Sequence, residues 1–362
     1  MASDREISWW RTDFGQREAD GIAGALADEY ISMGPLTAEF EAAFAEQIGV
    51  PYAVAATSGS VALLMGLMAA GVGRDDEVIM PDRTFVATAH AAAMIGAKAV
   101  LVDTEAGSPL IDPQRIREKI TRRTKALMPV HLNGRSADMT AIGEIAEEYG
   151  LRVVEDAAQA FFSRNATGCL GTLGDVGCFS LGVTKLISTG QGGMVVTGDA
   201  QIYEQLQRIR NHGVIGSKPE PYTQLGCNFK FTDLLASIGH AQLTRTEDRA
   251  EYVAQLHRIY NERLDELPFI DIVPVDVAGG EVPLWAEVAS DERDELISYL
   301  SAHGVGTYQP LYSVCRSPHL GCEGEFPHSH AHDRRIFILP CGPAQPLENI
   351  GRVCDLLERY GR

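Results

Sequence analysis

The order in which strand-like and helix-like segments follow one another constrains this chain more than any other feature. Short apolar runs suited to strands fall at 52–56, 77–80, 99–102, 126–130 and 152–154. Helix-periodic segments separate them at 61–70, 87–95, 113–120 and 142–148. Parallel strands need a crossover long enough to hold a helix, so this alternation predicts an α/β fold with a mainly parallel sheet covered by helices. After residue 185 the rhythm changes. A Gly-rich turn leads into a strand at 192–197, helices are predicted at 201–210, 232–243 and 247–264, and 213–222 reads as a loop. From about 267 onward, strands at 270–273 and 284–288 and helices at 292–302 and 347–360 describe a smaller α+β unit. The expected division is a large domain with an N-terminal arm at 1–245 and a smaller domain at 246–362, with the cleft between them the natural place for a site. No repeat of fixed period is present, which argues against a solenoid.

Composition narrows the partners. Lys and Arg number 31 against 49 Asp and Glu, a net charge of −18 that repels nucleic acid and anionic lipid surfaces. At 45% hydrophobic and 22% charged residues, the 362-residue chain has ample material for a core. Seven cysteines, an odd number with no C-x-x-C pair, read as reduced thiols. The opening Met-Ala-Ser-Asp-Arg-Glu lacks the pattern of a secretory leader, and no run of about 18 apolar residues occurs, so a cytoplasmic location is expected. His328, His330 and His332 alternate in a stretch flanked by proline and glycine. With no Cys or acidic residue at a ligand interval from them, they read as a solvated loop, and no metal site is expected.

Three local features carry chemistry. The strand at 152–154 runs into Glu155-Asp156-Ala157-Ala158-Gln159-Ala160, and a side chain at such a strand end faces the ligand crevice of an open α/β sheet. Asp156 could equally cap a helix beginning at Ala157. Ser58-Gly59-Ser60 opens an apolar helix whose unpaired N–H groups suit a phosphate, although a plain Ser cap explains it as well. Ser180 and Lys185 precede the glycine-rich turn Gly190-Gln191-Gly192-Gly193. An anion cradle, a carboxylate and an amine are together what pyridoxal phosphate requires: an anchor for its phosphate, an acid partner for its pyridine nitrogen, and an amine that forms an imine with its aldehyde. Neither Gly-x-Gly-x-x-Gly after the first strand nor a P-loop is present.

From Ile31 to about Leu243, and more loosely beyond, the chain resembles the DegT/DnrJ/EryC1/StrS aminotransferases, fold-type I pyridoxal phosphate enzymes that mostly aminate keto-sugar nucleotides. Their motifs occur in order here: Met33-Gly34-Pro35, Ser58-Gly59-Ser60, Asp76-Glu77-Val78-Ile79, Thr84-Phe85-Val86-Ala87-Thr88, Pro129-Val130-His131-Leu132, Glu155 to Ala160, Ser180 with Lys185, Gly192-Gly193 and Gly226-Cys227-Asn228-Phe229. The resemblance implies that Lys185 holds the cofactor as an imine and Asp156 keeps its pyridine nitrogen protonated. It places Gln159 near the ring's phenolic oxygen and Phe85 on the ring face, where plain core is the alternative. The phosphate would be held by Ser58, Gly59 and Ser60, by Ser180, and by Asn228 from a second subunit of a homodimer. Asn228 otherwise reads as a turn residue.

The resemblance further implies two half-reactions. An amino donor such as L-glutamate leaves pyridoxamine phosphate, which then aminates a ketone on a nucleotide-linked deoxysugar. Other readings are a keto-cyclitol or another antibiotic precursor as acceptor, and a non-catalytic pyridoxal phosphate-binding regulator. Dehydratases of this fold generally carry His at the imine position, where this chain has Lys185. The chain departs from the family pattern at Ser60, Lys230 and Phe231, where Thr, Arg and Met are common, and at Arg83, where many relatives are apolar or aromatic. Arg83 reads as a clamp for a substrate anion at the cofactor mouth or as an arginine paired to a surface acid. His131 is a candidate for the pocket wall, more simply a core histidine. Tyr308-Gln309-Pro310-Leu311-Tyr312 stands where relatives often contact substrate. Trp9-Trp10 either pins the arm or stacks on a base.

Overall fold

The computed structural model describes residues 6–216, 221–310 and 313–360. Outside these lie the opening five residues, 217–220 of the expected loop, and Leu311 and Tyr312 of the candidate substrate segment. Two helices, α1 (Gln16–Ala27) and α2 (Pro35–Ile48), precede the first strand. Alternation then runs as β1 (Tyr52–Ala56), α3 (Gly59–Ala69), β2 (Glu77–Pro81), α4 (Ala87–Met94), β3 (Lys98–Val102), α5 (Pro113–Lys119), β4 (Thr124–Leu127), α6 (Met139–Tyr149) and β5 (Arg152–Asp156). A small hairpin of β6 (Arg164–Asn165) and β7 (Gly168–Cys169) leads to β8 (Val176–Ser180), β9 (Gly193–Thr197), α7 (Ala200–Arg210), α8 (Asp233–Leu243) and α9 (Thr246–Leu264). The C-terminal part comprises β10 (Asp271–Ile272), β11 (Ala286–Ala289), α10 (Arg293–Ala302), α11 (Pro327–Arg335), β12 (Ile336–Leu339) and α12 (Leu347–Tyr360).

The main sheet has seven strands in the order β1-β9-β8-β5-β4-β2-β3. Every pair is parallel except those made by β9, which runs antiparallel to β1 and β8. The parallel strands therefore end on one edge, and that edge carries Asp156, Ser180 and the segment from Asp82 to Phe85. The strand expected at 126–130 breaks early because Pro129 cannot donate a ladder hydrogen bond; its carbonyl still accepts from Asp156 N at 2.9 Å. α3 is apolar on every side, with Ala62 to Leu67 buried, because it packs between the sheet and α4 and α7.

A three-stranded antiparallel sheet, β10-β11-β12, forms the core of the C-terminal unit, and α9 and α12 pack together beside it. The N-terminal arm touches both units: Ile7 bridges Val305 and Trp10 bridges Cys341, while Trp10 and Thr12 donate to the Val183 carbonyl. His328, His330 and His332, expected in a solvated loop, lie instead on α11, a polar helix with Pro at its first turn.

A buried ion cluster fastens the two units. Arg83 donates to Asp333 at 3.0 Å and to Glu287 at 3.4 Å, and Arg135 donates to Glu287 at 2.6 Å. Burial pushes the Glu287 carboxyl up, but the guanidiniums of Arg135 and Arg83 hold it below the usual carboxylate range. The expectation that Arg83 meets substrate is corrected here: its side chain is fully buried in this cluster, with acids supplied from the C-terminal unit. Removing the shared charge takes from Arg135 its ion-pair partner among the described residues and leaves Arg83 with Asp333. Glu287→Gln is expected to lower the unfolding free energy by about 3–5 kcal/mol in a denaturant titration; an unchanged midpoint would show that the cluster adds nothing.

Candidate active site

At the carboxyl edge of the sheet lies a cavity of about 370 Å³ whose lining includes Ser58, Gly59, Ser60, Phe85, Asp156, Gln159, Ser180, Lys185 and Tyr308, together with Trp9, Gln191 and Trp285. Most of the sequence-predicted site residues meet in this one space.

The anion cradle forms where α3 starts. Ser58 Oγ accepts from Val61 N at 3.2 Å, so the serine caps the helix and lines the cavity at once. A Cβ on Gly59 would sit 2.7 Å from Ser180 Cβ and 3.0 Å from its Oγ, so only glycine lets the helix start approach the Ser180 hydroxyl. Gly193 plays the matching part from β9, since a Cβ there would fall 2.3 Å from the Ser58 carbonyl oxygen. Unpaired helix N–H groups beside two serine hydroxyls make a site for a phosphate.

Asp156 ends β5, and no helix follows it: Ala157 to Ala160 form a turn, closed by Ala160 N donating to Ala157 O at 3.0 Å. The helix-cap alternative therefore falls. Its carboxylate accepts from Thr88 Oγ1 at 2.7 Å and from Ala158 N at 3.1 Å. Burial raises the Asp156 pKa above the ordinary aspartate value, opposed by those two hydrogen bonds and by Lys185 and His131. A buried acid of this kind gains from a partner that brings a positive N–H, as a protonated pyridine does.

Lys185 follows β8, its ammonium 5.2 Å from the centre of the Trp285 ring. Among the described residues its Nζ makes no hydrogen bond or ion pair. Burial lowers its pKa from 10.5 to about 8, with Asp156 acting in the opposite sense. The amine is thus neutral in a substantial fraction of molecules near physiological pH, as nucleophilic attack requires.

The ring-binding candidates divide. Phe85 is 55% exposed and lines the cavity, which excludes the core alternative. Gln159 Oε1 accepts from Asn133 N at 2.9 Å, so its amide nitrogen remains to donate into the cavity. Tyr308 stacks on Trp9 with ring centroids 4.6 Å apart and planes 17° apart, and the pair forms an aromatic wall. His131 is corrected: it is fully buried and outside the lining, its Nδ1 accepting from Ala137 N at 3.3 Å while Nε2 donates to Glu155 at 2.8 Å. Asn228 also lies outside this cavity, exposed on the surface and paired through its backbone with Asn211. At the departures from the family pattern, Phe231 is buried and stacked on Phe40, while Lys230 Nζ donates to Asn211 Oδ1 at 3.3 Å.

Sequence reasoning missed Trp285, which reaches the site from the C-terminal unit and carries no local motif. It also left Trp9 and Trp10 without an assignment. Trp10 Nε1 and Thr12 Oγ1 both donate to the Val183 carbonyl, at 2.8 and 2.7 Å, pinning the arm two residues before Lys185.

A model of the DegT/DnrJ/EryC1/StrS aminotransferase family matches residues 13–358. The chain belongs to this family. The GDP-perosamine synthase of Escherichia coli O157:H7 is 33% identical over 349 residues, covering 95% of both chains. The dTDP-3-amino-3,4,6-trideoxy-alpha-D-glucose transaminase of Streptomyces venezuelae is 33% identical over 351 residues, 94% of this chain and 90% of that one. The crystal structure of S. venezuelae DesV superposes with a TM-score of 0.91 at 31% identity, over 99% of each chain. The protein is a pyridoxal phosphate-dependent aminotransferase with this family's fold.

The donor set fits that cofactor: a cradle too tight for a side chain at residue 59, an acid at the sheet edge and an amine that, among the described residues, makes no hydrogen bond or ion pair. Because only the neutral amine attacks an aldehyde, capture of pyridoxal phosphate by cofactor-free enzyme is expected to accelerate about tenfold per pH unit below about 8 and to level off above it. Stopped-flow absorbance across and above that range checks this; a rate that keeps climbing past 8 toward 10.5 would show that Lys185 is not depressed.

Proposed function

We propose that this aminotransferase transfers an amino group from L-glutamate to the keto group of a nucleotide-linked deoxysugar by a ping-pong mechanism. The observation that carries the reading is the meeting of Lys185, Asp156 and the Ser58–Ser60 and Ser180 cradle in one cavity. The acceptor class is supported by relatives named for GDP- and dTDP-linked amino sugars. Open space bounded by Trp9 and Tyr308 offers a sugar an aromatic face at the mouth.

Pyridoxal phosphate, when bound, supplies an electron sink that makes the donor's α-carbon acidic. Lys185 holds the cofactor at rest and, once displaced by the donor's amine, carries a proton away from that carbon on Nζ. Its depressed pKa suits it to take and return protons at neutral pH. Asp156, fixed by Thr88 and Ala158, holds the proton on the pyridine nitrogen. Phe85 and Gln159, both in the cavity lining, would cover the ring face and donate to the ring oxygen. In the second half-reaction, after 2-oxoglutarate has left, the acceptor's carbonyl oxygen would leave as water in exchange for the amino nitrogen taken from glutamate, and Lys185 would return its proton to the former carbonyl carbon.

Asn228 completes the phosphate site of a second subunit in a homodimer. Its exposure outside its own cavity, beside exposed Tyr222 and Leu225, supports that crossing. A cytoplasmic setting agrees with seven free cysteines, and among the described residues no helix is long and apolar enough to cross a membrane.

Lys185→Ala is expected to abolish both turnover and the absorption band of lysine-held cofactor in an assay of glutamate with GDP- and dTDP-linked keto sugars. Asp156→Asn should retain cofactor and lose about 10²–10³-fold in kcat. Turnover retained by the lysine variant would end the assignment; amination of cyclitols in preference to nucleotide sugars would end the substrate reading. Mixing Lys185→Ala subunits with Asn228→Ala subunits should restore activity above either parent, because the hybrid dimer then holds one intact site. No restoration would place Asn228 outside the partner's site.

A further inference from the structure

Asp82, Cys315 and His330 stand far apart in sequence, yet each brings a ligand atom within 4.8 Å of the other two. Asp82 follows the end of β2, Cys315 lies in the segment that crosses over that strand end, and His330 sits on α11. Cys315 Sγ is 3.2 Å from His330 Nε2. None of the three lines the Lys185 cavity. This grouping also corrects the sequence reading that left the histidines without a Cys or acidic partner: the partners come from other elements.

The Asp82 carboxylate is fully buried and held on three sides. Its Oδ1 accepts from Cys315 N at 2.7 Å, and its Oδ2 accepts from the hydroxyls of Ser313 at 2.8 Å and Ser329 at 2.7 Å. An ionised carboxylate offers about four lone-pair sites, so three are taken and one on Oδ1 remains. Donors that fix a carboxylate in this way are what outer groups do around a metal ligand. Cys315 and His330 are half-buried, which leaves an ion a way in.

We propose that Asp82, Cys315 and His330 bind a divalent transition-metal ion of the zinc type, with water in the fourth position. One thiolate, one imidazole and one carboxylate form a donor set for a borderline-soft ion, whereas magnesium and calcium take oxygen ligands. Bond lengths of about 2.0–2.3 Å in a tetrahedron set ligand atoms roughly 3–4 Å apart, a spacing that small side-chain rotations reach from the present one. Burial, with the Asp82 charge, pushes the Cys315 thiol up to about 11, so the ion replaces the thiol proton, which is released to solvent. The bound ion would tie the 313–330 segment to the end of β2, which continues through Thr84 and Phe85 into the cavity wall.

The test uses holoenzyme stripped with chelator and titrated with Co²⁺, read in the visible ligand-field bands at wavelengths beyond the cofactor's absorption. The expected result is one tetrahedral cobalt per chain, displaced by Zn²⁺. Cys315→Ser and His330→Ala should each weaken the apparent affinity at least about tenfold, while Cys322→Ser, at a thiol near enough to act on Cys315 electrostatically, keeps the bands. An unchanged cofactor spectrum certifies the fold of each variant. X-ray absorption of cobalt-loaded wild type gives a readout independent of the variants, with one sulfur neighbour expected. Absence of tetrahedral bands, a shell of oxygen alone, equal binding by the Cys315 and His330 variants, or loss of the bands in Cys322→Ser would each overturn the proposal.

Discussion

The arrangement depends on an amine and a carboxylate being forced to share a cavity that water reaches poorly. Burial works against charge on both partners, lowering Lys185 and raising Asp156, and each charge only partly relieves the other. In the cofactor-free protein this is a cost to folding, kept because the surrounding sheet overdetermines where β5 and β8 end. A bound ring resolves the conflict: its aldehyde takes up the neutral amine, and its protonated nitrogen gives Asp156 a cation. The destabilised pair is thus a binding site already shaped for one chemical partner.

Around that pair, the C-terminal unit supplies what the main sheet lacks. Trp285 covers the lysine from β11's leading edge, Tyr308 and the arm's Trp9 build the mouth, and the Arg83, Arg135, Glu287 and Asp333 cluster locks the two units in register. The same clamp borders the segment that carries Cys315, since Ser313 N donates to Asp333 Oδ2 at 3.1 Å. The segment after β2 that leads into the cavity wall is therefore tied to the C-terminal unit by buried ionic contacts.

Legibility in the sequence followed locality. The acid at the end of β5, the glycine-serine start of α3 and the lysine before a glycine-rich turn are each specified by neighbours a few residues away, and the first two lie where the alternating pattern predicts a strand end. Arg83 could not be read in this way. Its partners Glu287 and Asp333 are 204 and 250 residues distant, so the sequence shows an arginine near a pocket while the fold shows one with its charge already spoken for. α11 escaped for a related reason: Pro-His-Ser-His-Ala-His-Asp-Arg-Arg has no apolar periodicity, and the helix is held by Asp103, which accepts from the N–H groups of His328 and Ser329 at its start. Trp285 carries no motif; only the packing of β11 against the main unit brings it to the lysine.

Borohydride reduction of the purified holoenzyme, followed by peptide mass mapping, decides which lysine holds the cofactor. The chain has only six lysines, at 98, 119, 125, 185, 218 and 230. One phosphopyridoxyl group per chain is expected, on Lys185. A label on any other lysine, or an unlabelled chain whose cofactor is lost on denaturation after reduction, would contradict it.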